Sequence, residues 1–270
     1  DPAVLVADEG GKYLISLLSG HIGRANEWCN KLAVRIGAMP VITTATDARG
    51  MFAVDIFATE HNMRIVNPVM IKDISGRILN NEPVGITGND KYKNLLKVTE
   101  ERWNGQIKYT DNSNNEYESG VQIITGKDDK IVFKRTLKLV PQELAVGIGC
   151  KKGKSAHEIE RAVKKTFDKA GLLLEAIAVV ASVDRKADEA GIIEFARKCK
   201  VPYKTYTPEY LRDVEGDFVS SAFVEEQIGV GNVCERSAGA ASSGGEKLVG
   251  KTADNGVTVA IYRVAQKNKE

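Results

Sequence analysis

The order of hydrophobic and polar positions divides the chain into three parts, and the first covers residues 1–50. Apolar runs at residues 3–7 and Tyr13–Leu18 predict two strands, because short apolar runs bounded by polar, glycine-containing turns are typical of strands. Apolar side chains then recur every three to four positions over residues 22–36, which predicts an amphipathic helix. Residues 39–47 predict a further strand. Strand, helix and strand joined by short links indicate an α/β unit whose two strands run parallel.

The second part, residues 51–143, has a different pattern. Two helices are predicted at its start, and strand-like runs follow, separated by polar turns rich in Gly, Asn and Asp. We interpret it as a small β-rich module whose strands have one apolar and one polar face, and it contains no recognisable catalytic arrangement. The predicted helices span residues 51–58 and 68–79, and the strand-like runs are 84–86, 106–109, 120–124 and 130–139.

The third part, residues 144–270, predicts a second, complete α/β domain. Strand patterns and helix patterns alternate along it, and Thr207 followed by Pro208 is typical of a helix start. The predicted strands are 144–149, 176–183, Tyr203–Tyr206 and a closing hairpin of 247–250 with 256–264, and the helices are 156–170 and 191–199. The fold class is therefore α/β, with two α/β sandwich-like domains flanking a smaller β-rich middle module.

Charge and composition exclude several classes of function. The 270 residues carry 38 Lys+Arg and 36 Asp+Glu, a net charge of +2, so no basic surface for nucleic acid is expected. No apolar run approaches the roughly 20 residues that a membrane span needs, so no membrane partner is expected. The chain opens Asp-Pro without a methionine, already within a strand-like run, and we expect residues upstream of it to be missing.

The cysteines and histidines show no spacing typical of a disulfide pair or of a metal site. Scattered thiols are typical of a reducing compartment, so a cytoplasmic location is predicted. No protein metal site is predicted. The residues concerned are Cys29, Cys150, Cys199, Cys234, His21, His61 and His157.

The first candidate site is the turn in Ser16-Leu-Leu-Ser-Gly-His-Ile-Gly-Arg-Ala-Asn-Glu27, between a strand and a helix. The backbone N–H groups at a helix N-terminus can hold an anion or stabilise an oxyanion. His21 is the candidate general base, because its charge changes near neutral pH, and Ser19 and Glu27 are the catalytic candidates beside it. Two other roles for His21 stay open: holding a ligand carboxylate, or capping and packing the helix.

A second polar loop is expected beside this turn, since ligands of parallel sheets gather at the carboxyl ends of the strands. The loop follows the strand that begins at Met39, and it is rich in threonine. We expect the two loops to contact one ligand. The candidate substrate-binding residues in them are Gly20, Gly23, Asn26, Thr43, Thr44 and Asp47.

The second candidate site is the loop Gly147-Ile-Gly-Cys-Lys-Lys-Gly153, between a predicted strand and a predicted helix. This context suits a cradle for a phosphate or carboxylate, and its two lysines add positive charge. Its spacing misses the dinucleotide motif G-x-G-x-x-G by one residue, so an anion site, a structural turn and a dinucleotide fold all stay open. The candidate binding residues are Gly147, Gly149, Lys151, Lys152 and Gly153, with Asp184, Lys186 and Glu189 at the next strand end, where a solvated loop is the alternative.

Taken together, these stretches resemble the signatures of the CbiG family of cobalamin biosynthesis proteins. The resemblance runs from residue 1 to about residue 264, in three blocks that coincide with the three parts described above. It adds Glu235 to the candidate substrate-binding residues. The matching motifs are residues 16–27, Pro40-Val-Ile-Thr-Thr-Ala-Thr-Asp47, Phe52-Ala-Val-Asp55, residues 147–153, Asp184-Arg-Lys-Ala-Asp-Glu189, Val233-Cys-Glu235 and Gly256-Val-Thr-Val-Ala260.

Membership of this family would imply the cobalt-precorrin-5A hydrolase step of anaerobic cobalamin biosynthesis. In that step the δ-lactone on ring A is opened, the carbon-20 fragment is lost as acetaldehyde, and cobalt-precorrin-5B results. Cobalt is carried by the substrate, so the resemblance implies no cofactor of the protein itself. It implies a cobalt-corrinoid precursor and neighbouring pathway enzymes as partners, and a homodimer is a further expectation. The alternatives are a non-catalytic tetrapyrrole-binding or hand-over protein and a nucleotide-binding enzyme.

Overall fold

A computed structural model describes residues 2–20, 23–43, 50–111, 116–216, 218 and 231–265. In these residues the strands form three sheets, one of three strands and two of five. The chain divides into two compact units, Asp1–Ile124 with Asp129–Pro141, and Thr125–Asp128 with Gln142–Glu270. The α/β fold class predicted from the sequence is confirmed. No helix in the described ranges is both long enough and apolar enough to cross a membrane.

The first sheet contains strands β1 (Val4–Ala7), β2 (Tyr13–Leu18) and β3 (Met39–Ile42), with helix α1 (Ala25–Ile36) between the last two. Strand β1 is antiparallel to β2, and β3 is parallel to β2, which confirms the predicted parallel pair. Helix α1 begins three residues later than predicted, because Arg24 has a left-handed backbone with φ 61° and interrupts the helical conformation.

The second sheet consists of β4 (Met63–Ile65), β5 (Gly85–Thr87), β6 (Lys108–Tyr109), β7 (Ser119–Ile123) and β8 (Arg135–Pro141). Its order is β4-β8-β7-β5-β6, and every neighbouring pair is parallel except β4 with β8. All five residues of β7 are buried. The predicted alternation of apolar and polar faces is therefore wrong for this strand, since a parallel strand covered on both faces needs no polar side.

The helices of this middle part are α2 (Val54–Glu60), α3 (Met70–Leu79) and α4 (Lys93–Arg102). Their buried side chains join those of the second sheet in one core, in which Phe52, Ile74 and Leu96 are fully buried. The sequence patterns predicted α2 and α3 but not α4. Helix α4 buries only Leu96 and Thr99 in a charged segment, so its apolar stripe is too narrow to stand out.

The third sheet consists of β9 (Leu144–Cys150), β10 (Ile177–Val183), β11 (Tyr203–Tyr206), β12 (Lys247–Asp254) and β13 (Val257–Arg263). The helices of this part are α5 (Ala156–Lys169), α6 (Ala190–Cys199), α7 (Pro208–Arg212) and α8 (Val233–Ser242). The sheet order is β11-β10-β9-β13-β12. Strands β9, β10 and β11 are parallel, and the predicted hairpin of β12 and β13 adds two antiparallel strands beyond β9.

Helix α8 was not predicted, although it packs more closely on the third sheet than an ordinary helix does. A Cβ atom placed on Gly147 of β9 would lie 1.8 Å from the carbonyl oxygen of Cys234 in α8. The helix is capped by Asn232, whose side-chain oxygen accepts a hydrogen bond from the Glu235 N–H at 3.1 Å. Its sequence is rich in Ala, Gly and Ser, so it lacks the large apolar side chains that mark an amphipathic helix in sequence.

Candidate functional site

The turn before α1 is held against the first turn of the helix by backbone hydrogen bonds. The carbonyl of Ser19 accepts from the Ala25 N–H at 3.1 Å, and that of Gly20 accepts from the Asn26 N–H at 3.0 Å. Ser19 has a positive φ of 56°, which turns the chain sharply where β2 has ended. The backbone on the strand side of His21 therefore has a defined path, and His21 itself lies outside the described residues.

The expectation that the two polar loops contact one ligand stays a prediction, because residues of both loops lie outside the described ranges. The Ser16 hydroxyl donates to the Asn26 side-chain oxygen at 2.5 Å, and the Thr43 hydroxyl donates to the Ser16 carbonyl at 2.6 Å. These bonds join the ends of β2 and β3 to the start of α1. Of the other predicted residues in the second loop, Thr44 and Asp47 lie outside the described residues.

Glu27 forms two ion pairs on the surface of α1. Its carboxylate accepts from Arg24 at 2.6 Å and from Lys31 at 2.5 Å. The hydrogen bond from Lys31, followed by the one from Arg24, lowers the pKa of the Glu27 carboxyl below its usual 4.5. A carboxylate with a lowered pKa is a weaker proton acceptor at neutral pH. The surroundings of Glu27 thus favour ion pairing with its own helix over a role as general base.

The second unit contains a cavity of about 640 Å³ at the carboxyl ends of β9 and β10. The start of α8 and the β12–β13 hairpin complete its wall. Part of the wall is apolar, from Val183, Val233 and Val257, which are all buried. The described residues that line it include no carboxylate, and its cationic residues are Lys151, Lys152, Arg185, Lys186 and Lys251.

Glu189 connects the two loops predicted as binding sites, residues 147–153 and 184–189, through a hydrogen bond. Its carboxylate accepts from the Gly153 N–H at 2.8 Å and from the Lys186 ammonium at 2.8 Å. Burial by itself would raise the pKa of this carboxyl, but the hydrogen bonds from Lys186 and Gly153 outweigh burial and lower it. The protein thus supplies its own carboxylate to the backbone of the loop at residues 147–153.

Replacing Glu189 by glutamine is expected to lower the free energy of unfolding at pH 7 by about 1–3 kcal/mol, the usual range for a hydrogen-bonded charged group. The pKa of the folded carboxyl is lowered from 4.5, so the carboxylate stabilises the fold above that pH. The stabilisation is lost as the pH falls below 4.5 through the lowered value, and urea unfolding curves of parent and variant should converge in acid. Exposed Asp188, changed to asparagine, is the control, and a difference that stays constant down to pH 3 would contradict the assignment.

Three of the cavity lysines form no direct ion pair with a carboxylate of the described residues, although the charge of Lys152 helps to lower the pKa of the Glu189 carboxyl. Within the described part of the chain, Lys151, Lys152 and Lys251 form no ion pair. Lys186 differs from them, because its charge is compensated by Glu189 at 2.8 Å. Asp184 is exposed and does not line the cavity. The cavity therefore has an excess of positive charge that an anionic ligand would balance.

Of three further residues predicted to bind substrate, Gly149 lines the cavity, whereas Gly147 and Glu235 do not. Gly149 lines the cavity, where a Cβ would lie 2.6 Å from the Thr258 hydroxyl. Gly147 lies under α8 instead and is not part of the lining. Glu235 is 2% exposed, and its carboxylate accepts from the Lys251 N–H at 2.6 Å and from the Asn232 side chain at 2.6 Å. Glu235 thus joins α8 to β12 from beneath the cavity wall.

Two thiols that sequence analysis did not assign also line the cavity, those of Cys150 and Cys234. Burial raises the pKa of the Cys150 thiol, and it raises that of Cys234 to about 11. Both thiols are therefore protonated and poorly nucleophilic at neutral pH. In the described residues, no three His, Cys, Asp or Glu side chains are grouped so that they could hold a metal ion.

Family comparisons cover all three parts of the chain. The model "Cobalamin synthesis G N-terminal" matches residues 1–47, "Cobalamin biosynthesis central region" matches 52–141, and "Cobalamin synthesis G C-terminus" matches 144–262. Among curated proteins, the cobalt-precorrin-5A hydrolase of Salmonella typhimurium is 34% identical over 97% of this chain and 74% of its own length. The probable cobalt-precorrin-5A hydrolase of Methanocaldococcus jannaschii is 30% identical over 97% of this chain and 77% of its own.

Solved structures of cobalamin biosynthesis proteins also resemble the chain. The crystal structure of CobE, a protein from the cobalamin (vitamin B12) biosynthetic pathway, is 29% identical with a TM-score of 0.44, covering 47% of this chain and 94% of that one. The structure of a putative cobalamin biosynthesis protein G homolog from Sulfolobus solfataricus is 22% identical with a TM-score of 0.40, covering 98% of this chain and 75% of that one.

Proposed function

The chain belongs to the CbiG family of cobalamin synthesis proteins, and from this premise we propose that it is a cobalt-precorrin-5A hydrolase. The observation that carries the proposal is the similarity to the Salmonella hydrolase along nearly the whole chain. The cavity of the second unit supports it, because a corrinoid precursor is an apolar ring system that carries many carboxylates. An apolar wall bordered by unpaired lysines suits such a ligand.

The proposed reaction begins with water activated by His21. Water adds to the lactone carbonyl carbon as His21 accepts its proton, and the ring C–O bond breaks as His21 returns that proton to the leaving oxygen, which leaves a carboxyl group and a hydroxyl group. The hydroxyl then gives its proton to solvent water, its oxygen forms the C=O of acetaldehyde, and the C–C bond to the macrocycle breaks. The electron pair of that bond stays with the macrocycle. N–H groups at the turn containing Gly20 and Gly23 are the proposed donors to the lactone oxyanion.

The proposed reaction uses no cofactor of the protein, because the cobalt arrives within the substrate. We propose a cytoplasmic location, because the spacing of the four cysteines along the sequence is typical of thiols in a reducing compartment. Neighbouring enzymes of the pathway are proposed as transient partners that deliver substrate and accept product, and a homodimer is proposed as the assembly. Sedimentation of the purified chain at two concentrations tests the dimer.

The experiment that tests the proposed function is incubation of the protein with cobalt-precorrin-5A and measurement of acetaldehyde by a coupled alcohol dehydrogenase assay. We expect one acetaldehyde per corrinoid consumed, together with cobalt-precorrin-5B identified by mass spectrometry. Tight binding of the corrinoid with no aldehyde released would instead identify a carrier. If the protein neither binds the corrinoid nor releases acetaldehyde, both the hydrolase and the carrier function are overturned.

A further inference from the structure

We infer that the cavity of the second unit is a self-sufficient recognition site for the carboxylate-bearing edge of a flat macrocycle, and that Lys151 and Lys251 determine its affinity. The inference rests on the proposed function and deepens it, since it assigns this site to the periphery of the substrate. Binding in this cavity then requires neither the cobalt nor the lactone of the substrate. Such a site would accept a metal-free macrocycle that bears the same kind of carboxylates.

The shape and lining of the cavity favour a ring edge over a small inorganic anion. Its volume of about 640 Å³ lies within the ordinary range for small-molecule sites. Val183, Val233 and Val257 come from three different elements and provide an apolar surface that a phosphate or sulfate could not use. Gly149 also lines the cavity, and a side chain at this position would meet the Thr258 hydroxyl.

The backbone of Lys151 and of Lys251 is held in place by hydrogen bonds to neighbouring elements. The Lys151 N–H donates to the Gly256 carbonyl at 2.9 Å, which attaches the loop after β9 to the β12–β13 turn. The Lys251 N–H donates to the buried Glu235 carboxylate at 2.6 Å, which attaches β12 to α8. Each ammonium group therefore needs to lose only side-chain freedom on binding, and this preorganisation favours affinity.

The anion preference of the cavity follows from how the protein uses its own carboxylates. Glu189 neutralises Lys186 and occupies the Gly153 N–H, so these two groups have a partner without a ligand. Lys151 and Lys251 have no such partner in the described residues and are left for the ligand. No carboxylate lies in the described lining to repel an anionic group.

The described lining of the cavity contains no histidine and no carboxylate that could activate water. The thiols of Cys150 and Cys234 are kept protonated by burial, and no histidine lines the described wall. Its contribution is therefore binding, which separates it chemically from the turn that contains His21.

The test is titration of the full chain with uroporphyrin, a metal-free macrocycle with eight carboxylates and no lactone. Binding is measured from the change in uroporphyrin fluorescence. Coproporphyrin, with four carboxylates, is the comparison ligand. We expect uroporphyrin to bind more tightly, and Lys151→Gln and Lys251→Gln each to weaken its binding about tenfold, the effect of losing one charged contact of about 1.4 kcal/mol. Lys204→Gln, at an exposed position of β11 away from the cavity, is the matched control and should bind as the parent does.

Two results would overturn the inference: no binding of uroporphyrin by folded protein, or equal binding by the parent and both cavity variants. Circular dichroism establishes that the variants are folded, and Lys151, which is exposed, carries little risk to folding. Failure of the inference leaves the proposed function standing if acetaldehyde is still released from cobalt-precorrin-5A. Uroporphyrin binding that depends on both lysines, without acetaldehyde release from the corrinoid, would keep the inference and overturn the proposed hydrolase.

Discussion

Replacing His21 by alanine is expected to lower turnover of cobalt-precorrin-5A by about 100-fold or more, the usual contribution of a general base. The imidazole is the group in this turn whose ordinary pKa lies near neutrality. Glu27, the other candidate base, is occupied by Arg24 and Lys31 and has a lowered pKa. The measurement is acetaldehyde release at saturating substrate, with the affinity for the corrinoid determined separately.

The control for this variant is His157→Ala, because His157 is exposed on α5 and lies in neither candidate site. It should release acetaldehyde at the parental rate. A His21→Ala enzyme with unchanged turnover would remove His21 from catalysis. If that variant instead kept turnover but bound the corrinoid more weakly, His21 would be a carboxylate-binding residue, the alternative left open by the sequence.

Replacing Gly147 by alanine is expected to lower the free energy of unfolding of the second unit by about 3 kcal/mol or more. The new Cβ would lie 1.8 Å from the Cys234 carbonyl oxygen and 2.8 Å from the Ala238 nitrogen. Both neighbours are backbone atoms of α8, which cannot rotate away as a side chain can, so the cost lies at or above the usual 1–3 kcal/mol of overpacking. Urea unfolding followed by circular dichroism measures the loss.

Gly76→Ala in α3 is the control, since no atom lies within 4 Å of the added Cβ. An alanine in a helix interior should be neutral or stabilise by about 0.5–1 kcal/mol. A Gly147→Ala protein as stable as the parent, but weak in corrinoid binding, would contradict the structural role and restore Gly147 as a ligand-contacting residue. Loss of stability, with corrinoid binding per folded molecule retained, would support the position of Gly147 beneath α8.

Much of the fold follows from local pattern. The paired strands β2 and β3, helix α5 and the β12–β13 hairpin all combine a clear period with turn or cap residues at their ends. Helix α5 has both, since Ser155 and Glu158 form a reciprocal capping box before a wide apolar stripe. Helices α4 and α8 lack such a stripe, and they exist because of what they pack against.

The residues of the candidate sites likewise fall into those that a local sequence pattern predicts and those that come from distant segments. A strand followed by a glycine-spaced turn and a helix is a local signal, so the sequence alone predicts that the loops after β2 and β9 bind ligands. Lys251 and Val257 line the cavity beside the second of these loops but come from about 100 residues later in the chain. No local pattern distinguishes such residues from ordinary strand residues, because their role depends on the pairing of β13 with β9.

Neighbouring residues carry the α/β class, the family motifs and the prediction of two ligand loops, so these can be read from the sequence. How the residues of those loops are used depends on contacts between distant segments. The tertiary structure placed Gly147 beneath α8, engaged Glu189 with Lys186 and Gly153, and enclosed Glu235 under the cavity wall. The physical reason is that burial, charge compensation and close backbone approach arise between segments distant in sequence, and these effects determine which polar groups remain available to a ligand.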